Sequence, residues 1–397
     1  METETYWVQG FRASSAVAGL KKGGKAPDVG LIFSETEAAA AGVFTTNKVR
    51  AAPVILSERH LEKGKARAII ANAGNANACT GARGLDDALT TAELVAEALG
   101  VNSGDVLVAS TGVIGQPLNM ERMEKAIPVL AGNLSSKGIP LTARAIMTTD
   151  SFPKLSRFDG QAGGKPYRIV GIAKGAGMIM PQMATMLCFL LSDIRIDPND
   201  LKKALVSSTD ATFNRITVDG DTSTNDTALI LANGLAKNGA LSAEEWEGFL
   251  NGLTQVMGDL ARMVVQDGEG ATKLVRVEVK NAASPKDAQT AARTVANSSL
   301  VKTAIYGQDP NWGRIMAALG RSGIDMIEER VDIWIDQVRI VGRGLGRGAD
   351  AEKQASEIMT GKEFTLTIDL HQGGHHDTIL TCDLTHEYVT INADYRT

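Results

Sequence analysis

KGAGMIMPQMATMLCFLLSD, residues Lys174–Asp193, puts a glycine turn, a proline and an Ala184-Thr185 pair directly ahead of an apolar run. The run Met186–Leu191 is far too short to cross a bilayer but has the length of a buried strand. Thr185–Leu191 therefore reads as a strand that opens on a threonine. A hydroxyl is a weak nucleophile at neutral pH and needs an adjacent base. A threonine at a chain terminus carries its own, because an α-amine has a pKa of about 7.7–8.0. Attack of the Thr185 hydroxyl on the Ala184 carbonyl, an N-to-O acyl shift and hydrolysis of the ester would free that amine. Taken by itself, the stretch also reads as a buried β-branched residue opening an ordinary strand.

Outward from this segment, strand and helix signals alternate. Ala66–Ala71 is a short apolar run followed by the loop NAGNANACTG. Leu85 to Leu99 keeps helical spacing, with Gly100 as its stop. Asp105–Ser110 reads as a strand entering the glycine turn STGVIG, and a helix begins near Asn119. Tyr167–Ala173 is a strand, and Asp197-Pro198 starts a helix through Leu205. After VDGDTSTNDT (Val218–Thr227), Ala228–Ala236 is expected to be helical. Ser242 and Glu245 have capping-box spacing ahead of a helix over Glu244–Val265. Lys273–Val279 alternates as a strand, and a helix covers Lys286–Asn297. The alternation predicts an α/β fold, a layered sandwich with helices flanking central β-sheets, and a smaller α/β lobe from roughly residue 285 to 397. Strand order stays open.

Composition narrows the function. The 397 residues carry a net charge of −5, with no basic footprint for nucleic acid. The three cysteines have no CxxC spacing, and the N-terminus lacks a secretory apolar core. The expectation is a cytoplasmic protein without a membrane anchor or a bound metal. VDGDTSTNDT fails the EF-hand pattern, since Thr224 and Ile230 stand where Gly and Glu are required. His371, His375 and His376, with Asp369 and Asp377, are placed at a hairpin tip and match no standard ligand spacing. GRGLGRGAD (Gly342–Asp350) lacks the pattern of a phosphate cradle.

Several blocks, in order, resemble the ornithine acetyltransferase family of arginine biosynthesis, the bifunctional glutamate N-acetyltransferases. They are NAGNANACTG, ASTGVIG, AIMTTDSFPK, KGAGMIMPQMATML, VDGDTSTNDT, VQDGEGATK, YGQDPNWGRI and YVTINADYRT, and they span essentially the whole chain. The resemblance implies an N-terminal-nucleophile enzyme, cut into residues 1–184 and 185–397, that moves an acetyl group from N2-acetylornithine to glutamate on Thr185. It implies an oxyanion hole at Thr111 and Gly112, and substrate contacts at Thr148, Lys174, Glu269, Asn392 and Thr397. Their chemistry suits these roles: Lys174 is a cation for an α-carboxylate, and Glu269, between two glycines, is an anion for an amine. No cofactor is implied, although acetyl-CoA is a further donor in bifunctional members. The two fragments are expected to stay together and to pair as an α2β2 heterotetramer. The alternative on the same residues is a threonine amidase or aminopeptidase, which hands the acyl group to water.

Overall fold

The computed structural model describes residues 5–180 and 186–394. The chain forms two compact units. The first runs to Asn214 and resumes over Asp221–Val264; the second takes Arg215–Gly220 and the chain from Val265.

In the first unit the elements are β1 (Phe11–Ala16), β2 (Val29–Phe44), α1 (Ala52–His60), β3 (Lys65–Asn75), α2 (Gly81–Leu99), β4 (Val106–Val113), α3 (Met120–Gly132), α4 (Ile139–Ala145), β5 (Lys154–Ala162), β6 (Lys165–Lys174), β7 (Leu187–Ser192), α5 (Pro198–Ala211), β8 (Thr227–Ala232) and α6 (Ala243–Gln266). They build one eight-stranded sheet of order β4-β3-β2-β8-β7-β6-β5, with β1 on β2. The long strand β2 joins its two limbs. Its register with β3 runs through Phe33, shifts, and resumes at Ala38, while Ala39–Phe44 pair with β8.

Both faces of the sheet are covered, so its strands read as near-continuous apolar runs. On β3 and β4, Ala68, Ile70, Val106 and Val108 pack with α1, α2 and α3. Their alternates Ile69, Ala71, Leu107 and Ala109 join a second core with Val170 and Ile172 of β6, Phe189 of β7 and Leu229 of β8. Strands from opposite ends of the sheet share that core, so the two limbs face each other. On the outside of the second limb, Gly171 leaves room for Val256 and Leu260 of α6 and for Leu190. The order helix, sheet limb, sheet limb, helix is the layered α/β sandwich expected.

Local signals explain the element ends. Gly100 closes α2 at φ +65°, and the Asn119 and Asp197 side chains cap α3 and α5. Ser242 and Glu245 exchange the two capping-box hydrogen bonds, at 2.9 and 3.2 Å. In this unit two expectations fail. Residues Ala228–Ala232 are not helical but lie in β8, whose six residues are all buried between β7 and β2. A short run without a polar face fits strand or helix equally, and here the pairing decides. The other concerns β4, which does not end at Ser110 but continues through Thr111 and Gly112.

The second unit contains β9 (Leu274–Ala282), α7 (Pro285–Ala296), α8 (Ser299–Tyr306), α9 (Trp312–Gly320), β10 (Asp332–Ile335), β11 (Val338–Gly342), β12 (Leu345–Gly346), α10 (Ala349–Met359), β13 (Glu363–Asp369), β14 (His375–Cys382) and α11 (His386–Asp394). Its sheet has the order β12-β11-β10-β13-β9-β14. Strand β9, ahead of residue 285, belongs here because it pairs with both β13 and β14. For the same reason His371–His376 is not a hairpin tip: β9 separates the two strands it connects. No helix among the described residues is long and apolar enough to cross a membrane.

Candidate active site

The site of the first unit is assembled at strand ends. On β4, Thr111 and Gly112 lie opposite Ala73 and Gly74 of β3. Gly112 has φ +127°, and a Cβ there would lie 2.4 Å from the Gly74 carbonyl carbon. Only a glycine lets the two strand ends close at this point. Buried amides hold the backbone beside it. Asn225 Nδ2 donates to the carbonyls of Ala76 and Ser110 at 2.6 and 2.9 Å, and Ser110 Oγ donates to Asn72 Oδ1 at 2.6 Å. The peptide leading into Thr111 is thus clamped, as fixed donors for a developing oxyanion require.

Lys174 ends β6 and is 8% exposed. Its Nζ lies 3.4 Å from Thr111 Oγ1 and 4.0 Å from Asp150 Oδ2. The Asp150 side chain is fully inaccessible. Its Oδ1 accepts from Lys154 Nζ and from the Gly175 N–H, both at 2.7 Å, and its Oδ2 accepts from the Thr148 N–H at 3.0 Å. The β5–β6 register sets this geometry, because Lys154 pairs with Ala173, the neighbour of Lys174. Burial pushes the Asp150 carboxyl up, but Lys174, Lys154 and the hydrogen bonds from Lys154 and Thr148 outweigh it and hold it at about 2. Lys21 lies within reach of the same charges; burial lowers its pKa, and its ammonium donates to the Pro27 and Ala145 carbonyls at 2.8 and 2.9 Å.

Strand β7 enters beside this cluster. Leu187 pairs with Lys174 on one side and with Thr227 on the other, and the Met186 carbonyl accepts from the Thr227 N–H at 2.9 Å. Thr185 and Ala184, two and three residues ahead of Leu187, lie outside the described residues, as does Thr397.

In the second unit, Glu269 is 8% exposed and its Oε2 accepts from Asn392 Nδ2 at 2.7 Å. Gly270 follows at φ +69°; a Cβ there would lie 2.6 Å from the Tyr388 nitrogen. The turn seats α11, because Thr385 Oγ1 donates to the Gly270 carbonyl at 2.8 Å. Asp219, in the rejected calcium loop, accepts from the Tyr388 hydroxyl at 3.3 Å. His371 turns to Asp332 (3.0 Å) and Asp369 (3.4 Å). Among the described residues no group of three or more His, Cys, Asp or Glu is placed to hold a metal.

The structure therefore joins Thr111, Gly112, Lys174 and the Thr148 backbone in one unit, and Glu269 with Asn392 in the other. Sequence reasoning missed Asp150, Lys154 and Asn225. All three stand inside blocks already singled out, AIMTTDSFPK and VDGDTSTNDT. An acid and a lysine four apart in a non-helical turn were the available signal for the first two.

Comparison with known sequences covers nearly the whole chain. The ArgJ family model matches residues 12–397. The arginine biosynthesis bifunctional protein ArgJ of Geobacter sulfurreducens is 53% identical over 98% of this chain and 100% of its own. That of Syntrophotalea carbinolica is 50% identical over 98% of this chain and 99% of its own. The crystal structure of the Bacillus halodurans protein of the same name is 43% identical, covering 51% of this chain and 96% of that one with a TM-score of 0.49.

Proposed function

Because the chain belongs to the ArgJ family, we propose that it is the acetyltransferase of arginine biosynthesis that transfers the acetyl group of N2-acetyl-L-ornithine to L-glutamate through an acetyl-Thr185 ester. One observation carries the reading most. Thr111 and Lys174, from opposite ends of the sheet, meet at 3.4 Å beside β7, the strand that follows Thr185.

The chain first cuts itself: the Thr185 hydroxyl attacks the Ala184 carbonyl, the acyl bond moves from nitrogen to oxygen, and water cleaves the ester. In turnover the freed α-amine takes the proton of the Thr185 hydroxyl as its oxygen attacks the acetyl carbonyl. Negative charge on the carbonyl oxygen meets the Thr111 hydroxyl and the Gly112 N–H. The C–N bond breaks, ornithine leaves with the proton, and acetyl-Thr185 remains. The glutamate amine then attacks the ester and releases N-acetylglutamate. In this reading Lys174 holds the substrate α-carboxylate, Glu269 and Asn392 hold the amine end, and Thr148 and Thr397 complete the contacts. No cofactor takes part. Acetyl-CoA serves as a second donor, in keeping with the bifunctional name its relatives carry. The two fragments remain associated as an α2β2 heterotetramer in the cytoplasm.

Incubation with N2-acetylornithine and glutamate tests the proposal: N-acetylglutamate and ornithine are expected in equal amounts. Acetate release that is the same with and without glutamate identifies a hydrolase instead. Acetyl-CoA and glutamate alone, without acetylornithine, should also give N-acetylglutamate; no product there removes the second donor.

A further inference from the structure

We propose that Asp150 is a positioning residue for the oxyanion hole, acting through Lys174 on the hydroxyl of Thr111. This deepens the acyl-transfer reading above and rests on it. The direction of the Lys174–Thr111 hydrogen bond follows from the groups themselves. An ammonium has three protons and no lone pair, so Lys174 donates and Thr111 Oγ1 accepts, at 3.4 Å. With that lone pair committed, the Thr111 proton is left to donate in another direction. That is the polarity an oxyanion needs, and a hydroxyl without such a partner is as free to present a lone pair.

A lysine head on a four-carbon stem holds no fixed position unaided. Asp150 supplies the fixed point. Its oxygens are tied by the Lys154 ammonium and the Gly175 N–H at 2.7 Å and by the Thr148 N–H at 3.0 Å. Lys174 then ion-pairs with Oδ2 at 4.0 Å, with its side chain 10% exposed. Lys154 helps to fix the carboxylate, because it donates to Oδ1 at 2.7 Å and leaves Oδ2 to face Lys174. Lys21 adds a third ammonium within electrostatic reach of Asp150 and Lys174, while its own hydrogen bonds go to the Pro27 and Ala145 carbonyls.

The test is a mutant cycle on the processed enzyme, assayed by acetyl transfer from N2-acetylornithine to glutamate. Asp150→Asn and Thr111→Val are made singly and together. The relay predicts that each single change lowers kcat on the order of 10²-fold; KM for N2-acetylornithine stays nearly unchanged in Thr111→Val and rises in Asp150→Asn, which also loosens the Lys174 that holds the substrate carboxylate. It predicts that the double variant is no slower than the slower single one, because both remove the same device. Asp150→Asn removes a carboxylate that pairs with two buried ammonium groups. If that variant does not fold, Asp150→Asn/Lys154→Met, which keeps the net charge, carries the same comparison. Losses that multiply in the double variant, or losses confined to KM, overturn the relay and leave Lys174 as a binder of the substrate carboxylate. Failure of the wild-type enzyme to move acetyl groups at all overturns the acyl-transfer reading instead.

Discussion

The Lys174 ammonium and the Thr111 hydroxyl lie 3.4 Å apart, although four strands separate β6 from β4 in the hydrogen-bonded order of the sheet. Only the folding of the two limbs onto a shared core can bring these strand ends together. The site is thus a property of the whole first unit and not of any one motif.

Gly112→Ala tests the strand end directly. Its φ of +127° and the 2.4 Å approach to Gly74 leave no space for a methyl group. A loss of about 1–3 kcal/mol in unfolding free energy is expected from the backbone strain alone. A fall in kcat should accompany it, since the proposed oxyanion donor moves. Chemical denaturation and steady-state kinetics on one preparation measure both; a variant with wild-type kcat excludes Gly112 from the hole.

Thr185→Ala should remain a single chain of 397 residues and show no acetyl transfer. Thr185→Ser, which keeps a hydroxyl and an amine, should retain part of both the cut and the activity. Mass spectrometry of the purified variants resolves the fragments. Turnover at the wild-type rate by the alanine variant would remove Thr185 as the nucleophile.

Acid stability should report Asp150. Its pKa lies near 2 in the folded protein, below the ordinary 3.8. A depressed folded-state pKa stabilises above the unfolded value and is lost as pH falls through the folded one. The contribution, on the order of 2 kcal/mol, is therefore complete above about pH 5 and disappears between about pH 4 and 2. Unfolding free energies measured from pH 6 down to pH 2 should fall less steeply for Asp150→Asn/Lys154→Met than for the wild type. Parallel curves would contradict the charge pairing described here.

Gly270→Ala should loosen α11 from the second unit, because a Cβ would meet the Tyr388 nitrogen at 2.6 Å and Thr385 Oγ1 at 2.8 Å. Faster cleavage of the C-terminal helix by a non-specific protease is the expected sign. A several-fold rise in KM should go with it and match that of Asn392→Ala, since both changes release Glu269 from Asn392. A Gly270→Ala enzyme with normal KM and an intact helix would dissociate the turn from the site.

Much of this was legible in the residues. The helix ends at Gly100, Asn119, Asp197 and Ser242 follow from capping chemistry that acts within one turn. Most site residues came from family blocks rather than from pattern. What escaped the sequence depends on partners far along the chain. Residues Thr227–Ala232 are a strand because β2 and β7 stand on either side, which no local period encodes. The alanine-rich end of β2, Ala38–Ala41, has weak strand propensity and is held by its neighbours. The cluster at Asp150 needs the register of β5 with β6, and so a lysine 24 residues away. Asn225 reaches the Ser110 carbonyl across 115 residues.

The sheet order has one more consequence. A cut before Thr185 would place β1 to β6 on one piece and β7 and β8 on the other. In the sheet, β8 and β7 lie between β2 and β6, six residue pairs along each seam. The pieces would be interleaved like the fingers of two hands, and neither could leave without opening both seams at once. Each piece alone would expose bare strand edges, the usual template for aggregation. Folding would then have to come before cutting, and the cut would make it a one-time event. An uncut chain would refold as a single molecule, whereas a denatured processed enzyme would have to find its other half, with a yield that rises with concentration and competes with precipitation.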